Sequence, residues 1–139
     1  MKNDLLHQRE CFNRRAENYY RTRNGDKQLL LRDLMYGELL KDVKIEKEKI
    51  LVLEPMCGYG EGKRILETHF GNRICYEGFD YSDEIVKYAK EYLGDINVYV
   101  QDVTTFSSNK KYDVIIIMGG GSSCGIAWAA GRTEYVRAA

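Results

Sequence analysis

Short apolar runs alternate with longer amphipathic segments between Ile50 and Met118, and this alternation constrains the fold of the 139-residue chain more than any other feature. Such runs are typical of buried strands, and the segments between them are typical of helices. Strands that alternate with helices favour a parallel sheet covered by helices. We therefore predict an α/β fold with four strands, at residues 50–53, 74–79, 96–100 and 112–118.

The segments that connect the first three predicted strands carry helix signals. Ile65, Leu66 and Phe70 recur at helical spacing in the first segment. In the second, Ser82 is a candidate N-cap and Gly94 a candidate C-terminal residue, because a serine oxygen accepts from free amides and glycine tolerates helix-ending conformations. The connection over residues 104–111 is short and polar, so we predict no full helix there.

One or two helices are predicted ahead of the first strand. Asn24 and Gly25 interrupt this region, and Asp26 is a candidate N-cap for the helix that follows. The charged residues 44–49 are expected to form a solvated connector. Five residues at helical spacing give the helix after Asp26 an apolar face: Leu30, Leu31, Leu34, Met35 and Leu39.

Composition excludes several classes of function. Lysine plus arginine and aspartate plus glutamate number 21 each, which argues against a dedicated binder of nucleic acids or acidic membranes, because such proteins need excess positive charge. No apolar run is long enough to cross a bilayer, and the N-terminus turns polar before a signal peptide could form. The four cysteines and two histidines are scattered without metal-ligand spacing. We therefore expect reduced thiols, a cytoplasmic protein and no metal site.

Residues 119–139 differ from the rest of the chain. They contain no lysine and are rich in glycine and alanine. Such a shift in composition indicates a tail of uncertain origin: a linker, a truncation scar, or out-of-frame or vector-derived sequence. The alternative is a loop followed by a short helix around Trp128.

A glycine-rich turn, residues 54–62, directly follows the first predicted strand. Glycines let the backbone approach a ligand closely, and the helix that follows presents free amides at its N-terminus. Glycine turns also serve purely structural ends, but a position between a strand and a helix favours a ligand-binding loop.

Acidic residues follow the next two predicted strands. Asp80 could accept hydrogen bonds from both hydroxyls of a ribose, or merely help to start a helix. Asp102 could accept from the exocyclic amine of an adenine, or be a turn aspartate. Because parallel strands end at one edge of a sheet, we expect both carboxylates to converge with Glu54 around one adenosine-shaped crevice. Its floor would be the bare backbone at Gly58 and Gly60.

Residues 53–62 resemble the first motif of the class I, Rossmann-like methyltransferases, in a variant with Glu-Pro-Met-Cys-Gly in place of Asp-x-Gly-x-Gly. Asp80 and Asp102 match the acids that this family places at the ribose and the adenine, and residues 112–118 resemble its fourth strand. Residues 14–19 resemble the N-terminal helix of small-molecule methyltransferases, which can close over the cofactor. The resemblance implies an enzyme that transfers a methyl group from S-adenosyl-L-methionine to a small-molecule acceptor.

The resemblance also implies a role for each residue at the cofactor. Glu54 would lie near the methionine end, Asp80 would hold the ribose, Tyr81 would lie beside the adenine, and residues after the third and fourth strands would meet the base and the site floor. No acceptor-activating base can be assigned. The implied cofactor site comprises Glu54, Met56, Cys57, Gly58, Gly60, Asp80, Tyr81, Gln101, Asp102, Val103, Met118 and Gly119.

The family usually continues with three further strands, which residues 119–139 are too few to supply. The resemblance therefore implies that residues 1–118 comprise N-terminal helices and the cofactor-binding half of a Rossmann-like domain, apparently truncated after the fourth strand, with an incomplete sheet. The fourth strand would be an exposed edge, through which a homo-oligomer could form, unless another chain or the tail covers it.

Two other interpretations stay open. A short-chain-type reductase that binds NAD(P) would fit residues 101–104 and 113–116 and would use Asp80 for the ribose. Against it, Lys63 stands where the dinucleotide fingerprint has its third glycine, and no Tyr-x-x-x-Lys follows the fourth strand. A non-catalytic, truncated module would self-associate through the exposed sheet edge.

Overall fold

The strands form one sheet in the computed structural model, which describes residues 2–94, 96–118, 125–128 and 135–137. They are β1 Ile50–Pro55, β2 Ile74–Asp80, β3 Val98–Val100, β4 Val114–Ile117, β5 Gly125–Trp128 and β6 Tyr135–Arg137. Their order is β3-β2-β1-β4-β5-β6. The first four strands are parallel, whereas β5 pairs antiparallel with β4, and β6 with β5.

Two of the four α-helices connect the parallel strands. The helices are α1 Lys2–Arg23, α2 Asp26–Leu40, α3 Glu61–Phe70 and α4 Asp83–Leu93, and a 3-10 turn, Gly71–Arg73, follows α3. α1 packs against α4, and α2 packs against α3. The main hydrophobic core lies between this helical layer and the sheet, where it includes Val52, Leu66 and Ile116. A smaller cluster on the other sheet face contains Leu53 and Phe79.

The strand and helix predictions within residues 50–118 are confirmed, with small differences at the ends. The third strand begins at Val98 and the fourth covers Val114–Ile117. Ser82 caps α4, because its Oγ accepts from the amide of Ile85 at 3.2 Å, and Gly94 ends the helix with φ 72°. Residues 101–113 contain no helix. The α/β, Rossmann-like arrangement with an incomplete parallel sheet is therefore present.

The predicted start of α2 is wrong by one residue. Its N-cap is Gly25, with φ −66° and ψ 142°, and Asp26 is the first helical residue. The Gly25 carbonyl accepts from the amides of Gln28 and Leu29, at 2.9 and 3.0 Å. The Asp26 carboxylate instead lies in the first turn, where negative charge is favourable to the helix dipole.

The predicted apolar face of α2 points away from the core. Leu30, Leu31, Leu34 and Met35 are 40–65% exposed, and Leu39 is half-buried, whereas Tyr36 and Leu40 are buried. In this orientation Arg32, on the inner side of α2, forms an ion pair with the buried carboxylate of Glu61 at 2.5 Å. A buried charge without such a partner would be costly.

Part of the predicted tail joins the sheet. β5 lies antiparallel to β4, with Val114 opposite Trp128 and Ile117 opposite Gly125. The tail itself therefore covers the edge of β4 that the sequence left open for association. The alternative of a short helix around Trp128 is wrong, because Trp128 ends β5. The division of the chain at residue 118 stays a prediction.

No helix in the part of the chain that the structure describes has the length and apolar character needed to span a membrane.

Candidate functional site

A cavity of about 410 Å³ lies at the carboxyl ends of β1, β2 and β3. Its walls come from the loops that follow these strands, from one side of α1, and from Ile85 on α4 and Ile117 on β4. Seven of the twelve residues predicted for the site line it: Met56, Gly58, Asp80, Tyr81, Gln101, Asp102 and Val103. The three loops thus meet at one edge of the sheet, as the parallel order of the strands requires.

The loop after β1 presents its backbone to the cavity. Met56 and Gly58 both have a φ of 53°, which is strained for the methionine and easy for the glycine. Strain of this kind persists where the surrounding structure holds it, often at ligand sites. The Gly58 amide donates to Asp80 Oδ2 at 3.1 Å, so the carboxylate after β2 fixes the loop after β1.

Cys57 and Gly60 belong to the same loop but face the protein interior. Cys57 is buried in the main core, and this burial raises the pKa of its thiol. A Cβ atom at Gly60 would lie 2.3 Å from Leu93 Cδ1 on α4. Gly60 has a φ of 70°, which favours glycine, and a Cβ there would require the Leu93 side chain to shift.

Glu54 lies beneath the loop, where its carboxyl group is fully buried. Its Oε1 accepts from the Gly62 amide at 3.2 Å, and its Oε2 accepts from Tyr76 Oη. Burial raises the pKa of Glu54 to about 8, although these two hydrogen bonds act in the opposite direction. Both oxygens are thus engaged with the protein, and Glu54 connects β1 to β2 and to the start of α3.

Asp80 lines the cavity and bonds to two of its loops. Its Oδ1 accepts from the Ser82 amide at 3.0 Å and its Oδ2 from the Gly58 amide. Burial raises the pKa of Asp80, and the backbone amides partly offset that rise. Each carboxylate oxygen can accept a second hydrogen bond, so Asp80 can hold both loops and still bind a ligand hydroxyl. The two readings of Asp80, ribose acid and helix-start residue, are therefore compatible in geometry.

The loop after β3 forms the third wall. Asp102 Oδ1 accepts from both the amide and the hydroxyl of Thr104, at 2.8 and 2.7 Å, which is the turn arrangement that the sequence left open. Gln101 Nε2 donates to the Asp102 carbonyl at 2.9 Å. The Val103 side chain is 43% exposed at the cavity. This wall combines an apolar surface with one carboxylate.

The two predicted residues after β4 are placed differently. Met118 is buried in the main core, and its neighbour Ile117 lines the cavity instead. Because side chains alternate along a strand, a prediction that is off by one residue selects the wrong face. Gly119 lies outside the described residues.

One side of α1 also lines the cavity, and the sequence did not assign these contacts to individual residues. Contacts to the loops hold the helix there: Tyr59 Oη donates to the Ala16 carbonyl, and Arg9 pairs with Asp83. Arg9 also lies over the ring of Tyr81, 5.3 Å from its centroid. In the sequence, only the similarity of residues 14–19 to a helix that covers the cofactor indicated that α1 would lie at the cavity. The lining residues from α1 are Leu5, Gln8, Arg9, Phe12 and Tyr19.

The cavity combines carboxylate acceptors with apolar side chains, which suits a ligand that carries both hydroxyl groups and an aromatic ring. Asp80 and Asp102 supply carboxylate acceptors, and Arg9 is the one lysine or arginine on its described walls. The ion pair with Asp83 neutralises Arg9. Among the described residues, no group of histidine, cysteine, aspartate or glutamate is placed to hold a metal ion.

Comparisons with known proteins identify the fold. No protein-family model matches the sequence, and no curated protein matches it. Solved structures do. The plantazolicin methyltransferase BpumL in complex with SAH is 24% identical over 75% of this chain and 40% of its own, with a TM-score of 0.53. The chain has the fold of the class I methyltransferases.

Two further structures with the methyltransferase fold are similar. Coclaurine N-methyltransferase bound to N-methylheliamine and SAH is 19% identical over 66% of this chain and 27% of its own, with a TM-score of 0.50. A TehB-like SAM-dependent methyltransferase from Corynebacterium glutamicum is 19% identical over 75% of this chain and 54% of its own, with a TM-score of 0.51. The chain thus spans 27–54% of the length of these three structures. The reductase and non-catalytic interpretations find no support in these comparisons.

Proposed function

We propose that the chain binds S-adenosyl-L-methionine and functions as a cytoplasmic methyltransferase for a small-molecule acceptor. The observation that carries this proposal is the meeting of the Gly58 backbone, Asp80 and Asp102 in one cavity at the ends of parallel strands. Support comes from the fold, which is shared with methyltransferases whose structures contain SAH.

The residues present fit the cofactor. The free acceptor capacity of Asp80 suits the two hydroxyls of a ribose, while Tyr81 and Val103 offer apolar surface to an adenine. The cofactor also carries an ammonium group and a positive sulfonium. Burial raises the pKa values of Glu54 and Asp80, and a bound cation would favour the ionised form of both carboxyl groups.

Each group in the site would act by positioning. When bound, the cofactor supplies an electrophilic methyl group. Asp80 would orient the ribose, and the Gly58 backbone would let the ligand approach the floor of the cavity. Glu54 would act from beneath, by holding Gly62 and Tyr76 in place under the loop. In an in-line displacement, such positioning supplies much of the rate.

Cys57 has no part in this mechanism as a nucleophile. Its thiol is buried in the main core, and burial raises its pKa. A reactive cysteine needs the opposite, namely an accessible thiol with a lowered pKa.

The preference for a small-molecule acceptor rests on two features. The balanced charge of the chain offers no general attraction to nucleic acids. The face of α1 that contributes to the cavity carries Leu5 and Phe12, which suits an acceptor with apolar surface. One similar structure, coclaurine N-methyltransferase, is bound to N-methylheliamine.

Calorimetry with S-adenosylhomocysteine and NADH in parallel tests the proposal. We expect binding of the homocysteine compound only, and at least about tenfold weaker binding by Asp80→Asn, which loses one carboxylate acceptor. Asp42→Asn, at an exposed position remote from the cavity, is the matched control and should bind like the parent chain. Circular dichroism would verify that Asp80→Asn remains folded. Tight binding of NADH without a response to S-adenosylhomocysteine would overturn the proposal.

A further inference from the structure

The outer side of α2 carries an apolar stripe that faces solvent. Leu30, Leu31, Leu34 and Met35 are 60%, 53%, 65% and 40% exposed. Neighbouring residues in an α-helix are rotated by about 100°, so Leu31 and Leu34 lie opposite the buried Tyr36 and Leu40. The stripe lies outside the residues that line the cofactor cavity. Four large apolar side chains gathered on one helix face are typical of an interaction surface rather than of scattered surface residues.

Charged residues of opposite sign lie at the two ends of this stripe. By the same helical geometry, Lys27 precedes Leu31 by one turn and Glu38 follows Leu34 by one turn. Lys27 is exposed, and Glu38 is exposed and bonded to Lys41 on its own helix. The face therefore reads lysine, leucine, leucine, glutamate along the helix.

Two copies of this face are complementary when the helices run in opposite directions. If two copies of α2 pack antiparallel about a two-fold axis between Arg32 and Asp33, Leu31 lies opposite the partner's Leu34, and Lys27 lies opposite the partner's Glu38. The apolar residues then cover one another, and an ion pair closes each end. A two-fold dimer requires this kind of self-complementary patch.

We propose that a second copy of this chain covers the stripe, in a symmetric dimer formed by antiparallel packing of the two α2 helices. The matching of charge to opposite charge at both ends favours a second copy over an unrelated partner. One helix face is smaller than a standard interface of about 800 Å² per partner, so the dimer is expected to form in the micromolar range. The interface leaves the cofactor cavity of each copy open.

Charge exchange tests this arrangement. In Lys27→Glu and Glu38→Lys, like charges face each other at both ends, and we expect each to weaken the dimer about threefold to tenfold. The double variant K27E/E38K restores opposite pairs and should dimerise within about twofold of the parent chain. Both changes suit the helix dipole, with acid in the first turn and base in the last. Because Glu38→Lys also removes the pair with Lys41, circular dichroism would verify that α2 is retained in each variant.

Sedimentation velocity from low micromolar to several hundred micromolar concentration would measure the dimer. Leu34→Gln removes an apolar side chain from the centre of both halves and should weaken association at least about tenfold. Leu6→Gln, at a 52% exposed leucine on α1, is the matched control and should leave it unchanged. A parent chain that stays monomeric throughout, or a folded double variant that fails to regain the dimer lost in the single variants, would overturn the proposal.

Discussion

Replacing the buried Glu54 by glutamine should remove a large part of the pH dependence of stability in this fold. Burial raises the pKa of Glu54 to about 8, against 4.5 for an ordinary glutamate. The folded chain therefore binds this proton more tightly than the unfolded chain does. The resulting stability is fully present below pH 4.5, falls as pH rises, and is lost above about pH 8.

The magnitude follows from the two pKa values. A tenfold change in an acid constant corresponds to about 1.4 kcal/mol, so the difference between 4.5 and about 8 amounts to about 5 kcal/mol. The whole stability of a small domain is about 5–15 kcal/mol. In Glu54→Gln the side chain is neutral at every pH, has nearly the same volume, and can accept from the Gly62 amide while donating to Tyr76 Oη. The variant should therefore resemble the protonated parent.

Urea unfolding at a series of pH values, from about 5 to about 9, would check this expectation. The parent chain should lose stability across this range, while Glu54→Gln should lose much less and be the more stable of the two at alkaline pH. A smaller decrease of the unfolding free energy with pH should remain in both chains, because burial also raises the pKa of Asp80. Glu91→Gln, at an exposed position, controls for the loss of one charge. Parallel curves for the parent and Glu54→Gln would refute the reasoning.

Three further predictions follow from the same geometry. Gly60→Ala should cost about 2–4 kcal/mol in chemical denaturation, because a Cβ at this left-handed position (φ 70°, ψ 32°) is strained and would meet the Leu93 side chain. In a Leu93→Ala background the same change should cost only the backbone strain, about 1–2 kcal/mol; equal costs in the two backgrounds would contradict the packing argument. Tyr59→Phe loses the hydrogen bond from Tyr59 Oη to the Ala16 carbonyl, so it should lower the free energy of unfolding by about 1 kcal/mol and speed amide hydrogen exchange in α1. Unchanged exchange would show that this bond does not hold the helix. Burial raises the pKa of Asp80, and a bound cation favours its carboxylate form, so the affinity for S-adenosylmethionine should rise with pH. Calorimetry should show a smaller rise for Asp80→Asn; an equal rise in the variant would assign the pH dependence to another group.

The strands and the loops of the site could be predicted because their signals are local. Apolar runs bounded by turn residues gave β1 and β2 to within two residues, and Ser82 was recognisable as an N-cap from its position before an amphipathic segment. Parallel strand order then brought Asp80 and Asp102 to one sheet edge without any knowledge of side-chain contacts. Local periodicity and topology together were sufficient for the three loops that line the cavity, but not for the lining residues of α1 or for Ile117.

The features that sequence reasoning missed depend on contacts between distant residues. The apolar pattern alone gave no sign that Arg32 would face inward and pair with Glu61, or that four apolar side chains of α2 would be exposed. The sequence predicted Glu54 near the methionine end of the cofactor but gave no sign that its carboxyl group would bond to Tyr76 on the neighbouring strand, beneath the loop. In each case a buried polar group bonds to a residue distant in the sequence, and local periodicity does not predict such contacts.

The cavity walls and the main core, as far as the structure describes them, come from one continuous stretch of the chain. The described lining residues lie between Leu5 and Ile117, and the described buried residues of the main core lie between Tyr36 and Met118. The three loops are fixed to one another by bonds within this range, such as Gly58 amide to Asp80 and Gln101 amide to the Asp80 carbonyl. Because the described walls of the cavity come from residues up to Ile117, we expect cofactor binding to be measurable separately from methyl transfer. A failure to transfer methyl groups would therefore not weigh against the cofactor site, whereas a failure to bind S-adenosylhomocysteine would.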